Sequence, residues 1–406
     1  MRHRHFKPIT KLGTFYFFVT LGVSLVSTIW SVYLNSFLHS SALVGFLTSL
    51  FTVVETLAFV FLIPLIERTD KAKTLVVSLV FFAASYFLFS VYSNIYLVIV
   101  LGILISVFSS LRITTFGLIV RDNTEDENVS KNEGFVYTLF NSAWLVGPLI
   151  AGYVASKFGF ESVFFLTTLF IVLSLFSFRL FRLKDGRITK KVDKNILQLI
   201  AGFFRRRELV LTYALSMAVT FWWSFIYVYM PIYIVDNGYG EVFLGIFLAA
   251  ITAPLILFEY LFGKMAGKRG FKKLFFAGFF SLGIFALAGF FVSNIYILCG
   301  ILVLASISVA MLEPTTEAYF LDLVRKKDRD RYYGIYTTSV NLGSLLGALP
   351  AAGLLLVLPF KSLFMLYGIP MIILAFLALK IKDSYEFRKK HKDVLDSGLD
   401  SQAPAE

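Results

Sequence analysis

The sequence predicts an all-α membrane protein: twelve transmembrane helices in two pseudo-symmetric six-helix bundles. Three observations lead there. Long apolar stretches alternate with short polar breaks, the second half of the chain repeats the first after a shift of 200 residues, and basic residues gather in alternate breaks. The chain is 58% apolar and 16% charged, where a soluble domain carries roughly a quarter charged residues. Backbone groups find no water partner in hydrocarbon, so the stretches must be helices. The ten-residue alternation of barrel strands is absent from the sequence.

In chain order the spans are 12–34, 42–65, 73–92, 95–120, 134–156, 161–181, 209–235, 242–264, 273–292, 295–321, 332–357 and 362–381. About 20 apolar residues cross a core about 30 Å thick. The start Met1-Arg2-His3-Arg4-His5 resembles a signal n-region. The apolar run after it is full length without a convincing cleavage site, so it is expected to stay as span 1. Residues 1–181 form the first bundle and 209–381 the second. The basic connection 182–208 carries Ile196, Leu199, Ile200, Phe203 and Phe204 at helical spacing. It reads either as a short interfacial helix or as an irregular linker. The polar tail 382–406 is expected to be disordered.

The repeat is legible residue by residue. Ser93-Asn94-Ile95-Tyr96 recurs as Ser293-Asn294-Ile295-Tyr296; Gly45 matches Gly245, Tyr33 matches Tyr233, and Asn141 with Gly147 matches Asn341 with Gly347. Duplication in a membrane protein predicts two bundles enclosing a site at their interface.

The net charge of +12 invites a nucleic-acid reading, but its distribution argues against one. Apart from Arg112, Lys157 and Lys361, every Lys and Arg falls on the side of the termini. That is the positive-inside pattern, and it predicts a multi-pass protein of the plasma membrane with both termini cytoplasmic. Cys299 is the single cysteine, so no disulfide framework exists. The four His form no pair with each other or with a nucleophile, so no metal site is expected. No Gly-rich phosphate loop has the required spacing. An enzyme is therefore not expected.

Charges inside spans are the informative exceptions, since each costs about 2.5–3.5 kcal/mol at a helix centre. These are Glu55, Arg112, Glu259, Glu313 and Glu317. Leu111-Arg112-Ile113-Thr114-Thr115 aligns with Leu312-Glu313-Pro314-Thr315-Thr316 after one extra residue. Arg112 and Glu313 thus share a depth, about 7 Å from their span midpoints at 1.5 Å per residue. Opposite charges at matched depths suggest a pair across a central cavity. Arg112 could hold an anionic substrate group and Glu313 or Glu317 a coupling proton; alternatively the pair only locks the halves together. Glu55, near mid-bilayer, reads as functional, and Glu259 as a snorkelling or hydrogen-bonded residue. Trp30, Tyr33, Trp222 and Trp223, with Tyr227, Tyr229 and Tyr233, line a pocket or serve packing. Asn141 and Asn341 hydrogen-bond between helices or line the cavity.

Two local motifs carry a resemblance to the major facilitator superfamily. The loop Gly263-Lys264-Met265-Ala266-Gly267-Lys268-Arg269-Gly270-Phe271-Lys272-Lys273 resembles that family's signature loop, with Gly267 where an Asp is usual. The loop after span 2, Leu65-Ile66-Glu67-Arg68-Thr69-Asp70-Lys71, is its degenerate counterpart. The resemblance implies that Glu67 and Arg68, joined by Asp122, latch the cytoplasmic side. Span 5 contains Ala143-Trp144-Leu145-Val146-Gly147-Pro148-Leu149-Ile150-Ala151-Gly152, similar to the family's antiporter motif but with two glycines replaced by Ala. The family's early span 4 Arg is missing, since 102–105 is apolar. The resemblance implies a secondary transporter working by alternating access, with spans 1, 4, 7 and 10 lining the cavity. Proton-coupled efflux of a small, partly apolar solute is the expectation. No cofactor is expected beyond a proton or ion gradient. The partners expected are a small-molecule substrate and the lipid bilayer, with no nucleic acid and the monomer as working unit. Uptake or facilitated diffusion is the alternative; from another class, a non-transporting receptor or an integral-membrane enzyme.

Overall fold

The structure, a computed structural model, describes residues 8–122, 129–181, 196–324 and 329–381. The tail 382–406 and the first part of the central connection lie outside the described residues. The described chain is helical: α1 (Pro8–Leu38), α2 (Ser41–Arg68), α3 (Lys71–Val91), α4 (Ile95–Asp122), α5 (Val129–Phe158), α6 (Phe160–Phe181), α7 (Ile196–Phe204) and α8 (Arg207–Ser224). A π-helical turn, Phe225–Tyr229, joins α8 to α9 (Met230–Asp236), followed by α10 (Gly240–Arg269), α11 (Lys272–Phe291), α12 (Ile295–Leu323), α13 (Arg329–Leu355) and α14 (Ser362–Ala378).

Eleven spans in this set are long and apolar enough to cross a membrane, with Arg207–Asp236 as one continuous span. The twelfth expected span, α14, is shorter at 17 residues. Its end tightens: the amide N–H groups of Leu379, Lys380 and Ile381 bond three residues back, at 3.3, 2.9 and 3.3 Å. Such 3₁₀-type closure satisfies terminal carbonyls and carries the segment to the expected end at Ile381.

The repeated Ser-Asn-Ile-Tyr motif is a helix start. Asn94 Oδ1 accepts the Tyr96 amide at 2.8 Å, and Asn294 Oδ1 accepts those of Tyr296 and Ile297 at 2.9 and 3.3 Å. An Asn here satisfies amides the helix cannot, contributing roughly 1 kcal/mol. Gly270 takes φ +84° between α10 and α11, a conformation side chains resist.

Compactness divides the chain into two units. The first holds Met1–Val192, Phe221–Ala253 and Ser344–Leu363; the second holds Asp193–Thr220, Pro254–Gly343 and Phe364–Glu406. In the first unit α1 packs on α5 and α6, α3 on α4 and α6, and α2 on α4. Lipid tails offer no hydrophobic drive between helices, so close packing must supply it. The small residues do this symmetrically. A methyl group added at Gly147 would reach 2.7 Å from Ser24 Cβ; at Gly347 it would reach 2.6 Å from Ser224 Cβ. Residues 24 and 224 are themselves one repeat apart. Rings follow suit: Tyr33 meets Phe160 at 5.9 Å and Tyr233 stacks on Phe360 at 4.2 Å.

In the second unit α7 is seated through Phe203, which is fully buried against Tyr213 and Tyr332 at 6.0 and 5.7 Å. Leu199 packs on the same cluster, whereas Ile200 and Phe204 stay exposed. The short helix is therefore amphipathic, with its buried face set by the i, i+4 spacing.

Candidate functional site

Arg112 on α4 and Glu55 on α2 lie within electrostatic reach of each other in the first unit. The serines and threonines of α4 mostly hydrogen-bond their own helix: Ser106 to the Gly102 carbonyl at 2.9 Å and Thr114 to the Ser110 carbonyl at 2.8 Å. Ser109 instead hydrogen-bonds Glu55 on α2. The Arg112 guanidinium lies one turn further along α4, close enough to act electrostatically on Glu55, Tyr16 and Tyr86. It sits 5.5 Å from the centre of the Phe82 ring, a cation–π distance. Its crevice is lined by Phe15, Tyr16, Val19, Leu75 and Phe116, with no water-sized space. Arg112 Nε is buried with no hydrogen-bond partner. A buried donor left unpaired costs about 1–3 kcal/mol, so the guanidinium is held short of its full complement. Chemically, this is a carboxyl group, a hydroxyl and a guanidinium in apolar surroundings, where gain or loss of one proton changes the local charge balance.

Glu313 and Glu317 belong to the second unit, and the structure describes them within it. Glu313 is exposed; Glu317 is partly buried and accepts the Tyr333 hydroxyl at 2.7 Å. Hydroxyls extend the network across α8, α12 and α13. Tyr336 bonds Ser216 and Thr316, Ser339 donates to Ser216 at 2.9 Å, and Tyr213 pairs with Thr338 at 2.9 Å.

The aromatic candidates separate by burial. Trp222 and Tyr33 are each 1% exposed and serve as core. Trp223 is partly exposed and contacts Tyr227, which meets Trp144 edge-on at 5.4 Å. Trp30 is partly buried among Tyr33, Phe51 and Phe89. Asn141 and Asn341 are partly buried. The side chains of Glu67, Arg68 and Asp122 lie outside what the structure describes. Gly263 has open space where a Cβ would stand.

The Gly147-Pro148 segment acts through backbone contact. A methyl at Gly245 would overlap the Pro148 carbonyl and reach 3.2 Å from Gly152 Cα; one at Gly152 would reach 3.0 Å from Gly245 Cα. Near the ends of α1 and α9, Asn35 Nδ2 donates to both carboxylate oxygens of Asp236 at 3.1 and 3.3 Å, and Ser31 donates to the Tyr227 carbonyl at 3.2 Å. Sequence reasoning missed Ser109, Phe82, Tyr16 and Ser24 as partners. The matched glycines at 45, 245, 147 and 347 were the one available signal, because a glycine kept in both copies of a helix marks a close approach.

Comparison with known proteins bears on the fold and the family. An uncharacterized MFS-type transporter of Methanocaldococcus jannaschii is 21% identical over 340 residues, covering 82% of this chain and 87% of that protein. The staphylopine export protein of Staphylococcus aureus is 23% identical over 256 residues, 60% of this chain and 64% of the relative. The quinolone resistance protein NorA of the same species is 23% identical over 139 residues, 34% of this chain and 36% of the relative. Among solved structures, a POT family transporter in complex with 5-aminolevulinic acid superposes with TM-score 0.78 at 12% identity, covering 91% of this chain and 95% of its own. The nucleoside transporter NupG gives 0.73 at 12%, covering 93% and 100%. These likenesses establish the fold. The family model for the Major Facilitator Superfamily matches residues 12–257 and 241–401, so the chain, a multi-pass membrane transporter, belongs to that superfamily.

Proposed function

We propose that this transporter exports a small, partly apolar organic solute in exchange for protons, working as a monomer in the plasma membrane with cytoplasmic termini. The observation that carries the reading is the Glu55–Ser109–Arg112 cluster in the first unit. Ionised Glu55 offsets the Arg112 charge; protonation removes that offset inside an apolar bundle, where an uncompensated charge is costly. Proton binding therefore biases which packing of the bundle is favoured, as coupling requires. In the second unit Glu317 accepts the Tyr333 hydroxyl at 2.7 Å and the Glu313 side chain is exposed. Trp223, Tyr227 and Trp144 offer partly open rings to an apolar solute. The export direction is supported by two relatives named for export or resistance.

The test is flux in proteoliposomes loaded with candidate solutes, with and without an imposed pH gradient. Proton-coupled export predicts that collapsing the gradient with a protonophore slows release against a concentration difference at least severalfold. Uphill release that continues at the same rate contradicts proton coupling and requires another driving ion; release that runs only down the solute's own gradient, whatever the pH gradient, leaves facilitated diffusion.

A further inference from the structure

In the first unit the two repeat-related helix crossings are closed by different chemistry. α10 meets α5 backbone to backbone, with Gly245 against the Pro148 carbonyl and Gly152. The matching crossing of α2 with α13 places Gly45 beside Ala352, where an added methyl would lie 2.8 Å from Ala352 Cβ. Here, however, a third element enters. The Tyr229 phenol, fully buried, passes over Gly45 so closely that any Cβ at that position would overlap its oxygen. The Tyr229 hydroxyl donates to the Ala348 carbonyl on α13. One side chain thus ties α2, the π-helical turn and α13, while its repeat counterpart, Ile29, has no polar group to offer. The π-helical turn aims it. The Met230 N–H bonds the Phe225 carbonyl five residues back, and Pro231 follows. The extra residue of such a turn rotates the side chains beyond it relative to those before.

We infer that Tyr229 is a positioning residue for transport: its hydroxyl is the breakable fastening that keeps α2, α13 and the π-helical turn together, on the side away from the basic loops, during one half of the cycle. Backbone contact at the Gly245 crossing has no donor to release. The phenol can leave Ala348 and find water or another carbonyl. A net hydrogen bond of this kind shifts a two-state equilibrium by about fivefold. The inference rests on the alternating-access reading, and its test separates the two.

Spin labels at Ser93→Cys and Ser293→Cys, in a Cys299→Ser background, mark repeat-matched exposed turns on that side. Pulsed electron resonance then gives the ratio of long to short distances. Tyr229→Phe, which keeps the ring, should raise that ratio about fivefold. Gly45→Ala should raise it too, and the double variant should fall short of the product of the two effects, because both act on one seat. Two distance populations that Tyr229→Phe leaves unmoved would overturn the fastening alone, as would a double variant equal to the full product. A single distance in every variant, at every pH and with every solute, would overturn alternating access itself.

Discussion

At the scale of residues, Arg112 is the side chain on which most depends. Its guanidinium has an aromatic face on one side, a carboxyl within electrostatic reach and one nitrogen without a partner. A carboxylate left in apolar surroundings without its nearby positive charge is destabilising, and neutralising it as well relieves that cost. Arg112→Ala should therefore lower thermal stability in detergent and cut transport at least tenfold; adding Glu55→Gln should return most of the stability without the transport. Equal melting temperatures for the single and double variants would show that the two side chains do not sense each other. The sequence marked Arg112 and Glu55 as functional candidates separately, because charge within a span is expensive wherever it points. What hydropathy cannot convey is azimuth: depth along α4 follows from counting, but the direction a side chain takes depends on neighbours. The same limit explains the tryptophans. Trp222 and Trp223 are adjacent and equally apolar, yet one is core and the other partly open.

At the scale of elements, the small-residue seats order the packing. Ser24 stands against Gly147 as Ser224 stands against Gly347. Overpacking a tight contact typically costs about 1–3 kcal/mol. Gly147→Ala should lower stability by that order, and Ser24→Gly should restore much of it by vacating the space. Thermal melting of the two singles and the double checks this; a double no better than Gly147→Ala would remove the seat. The expected span starts at 95 and 295 coincide with the starts of α4 and α12, where an Asn before the apolar run has a local job whatever the tertiary fold. The π-helical turn was invisible: its residues Phe225 to Tyr229 read like any apolar helix, and the extra residue is imposed by the packing around it. The amphipathic α7 showed its spacing in the sequence, but not which of its apolar residues would be buried.

At the scale of the whole molecule, the 200-residue repeat and the family match fix the architecture, and the proposed orientation rests on the charge asymmetry. With Cys299→Ser as background, a cysteine at Ser93 or Ser293 should react with a membrane-impermeant maleimide in intact cells, and one at Lys272 only after the cells are opened. The reverse pattern would invert the assigned topology. Substrate chemistry was the least legible property, since a chain with 46 Phe and 20 Tyr offers aromatic surface almost everywhere. The central claim, that a proton on Glu55 drives solute against its gradient, is tested most directly by comparing two fluxes of one solute in vesicles bearing Glu55→Gln. Solute-for-solute exchange without a pH gradient should persist within about twofold of wild type, while accumulation driven by the gradient should disappear. Full gradient-driven accumulation in that variant would contradict the account.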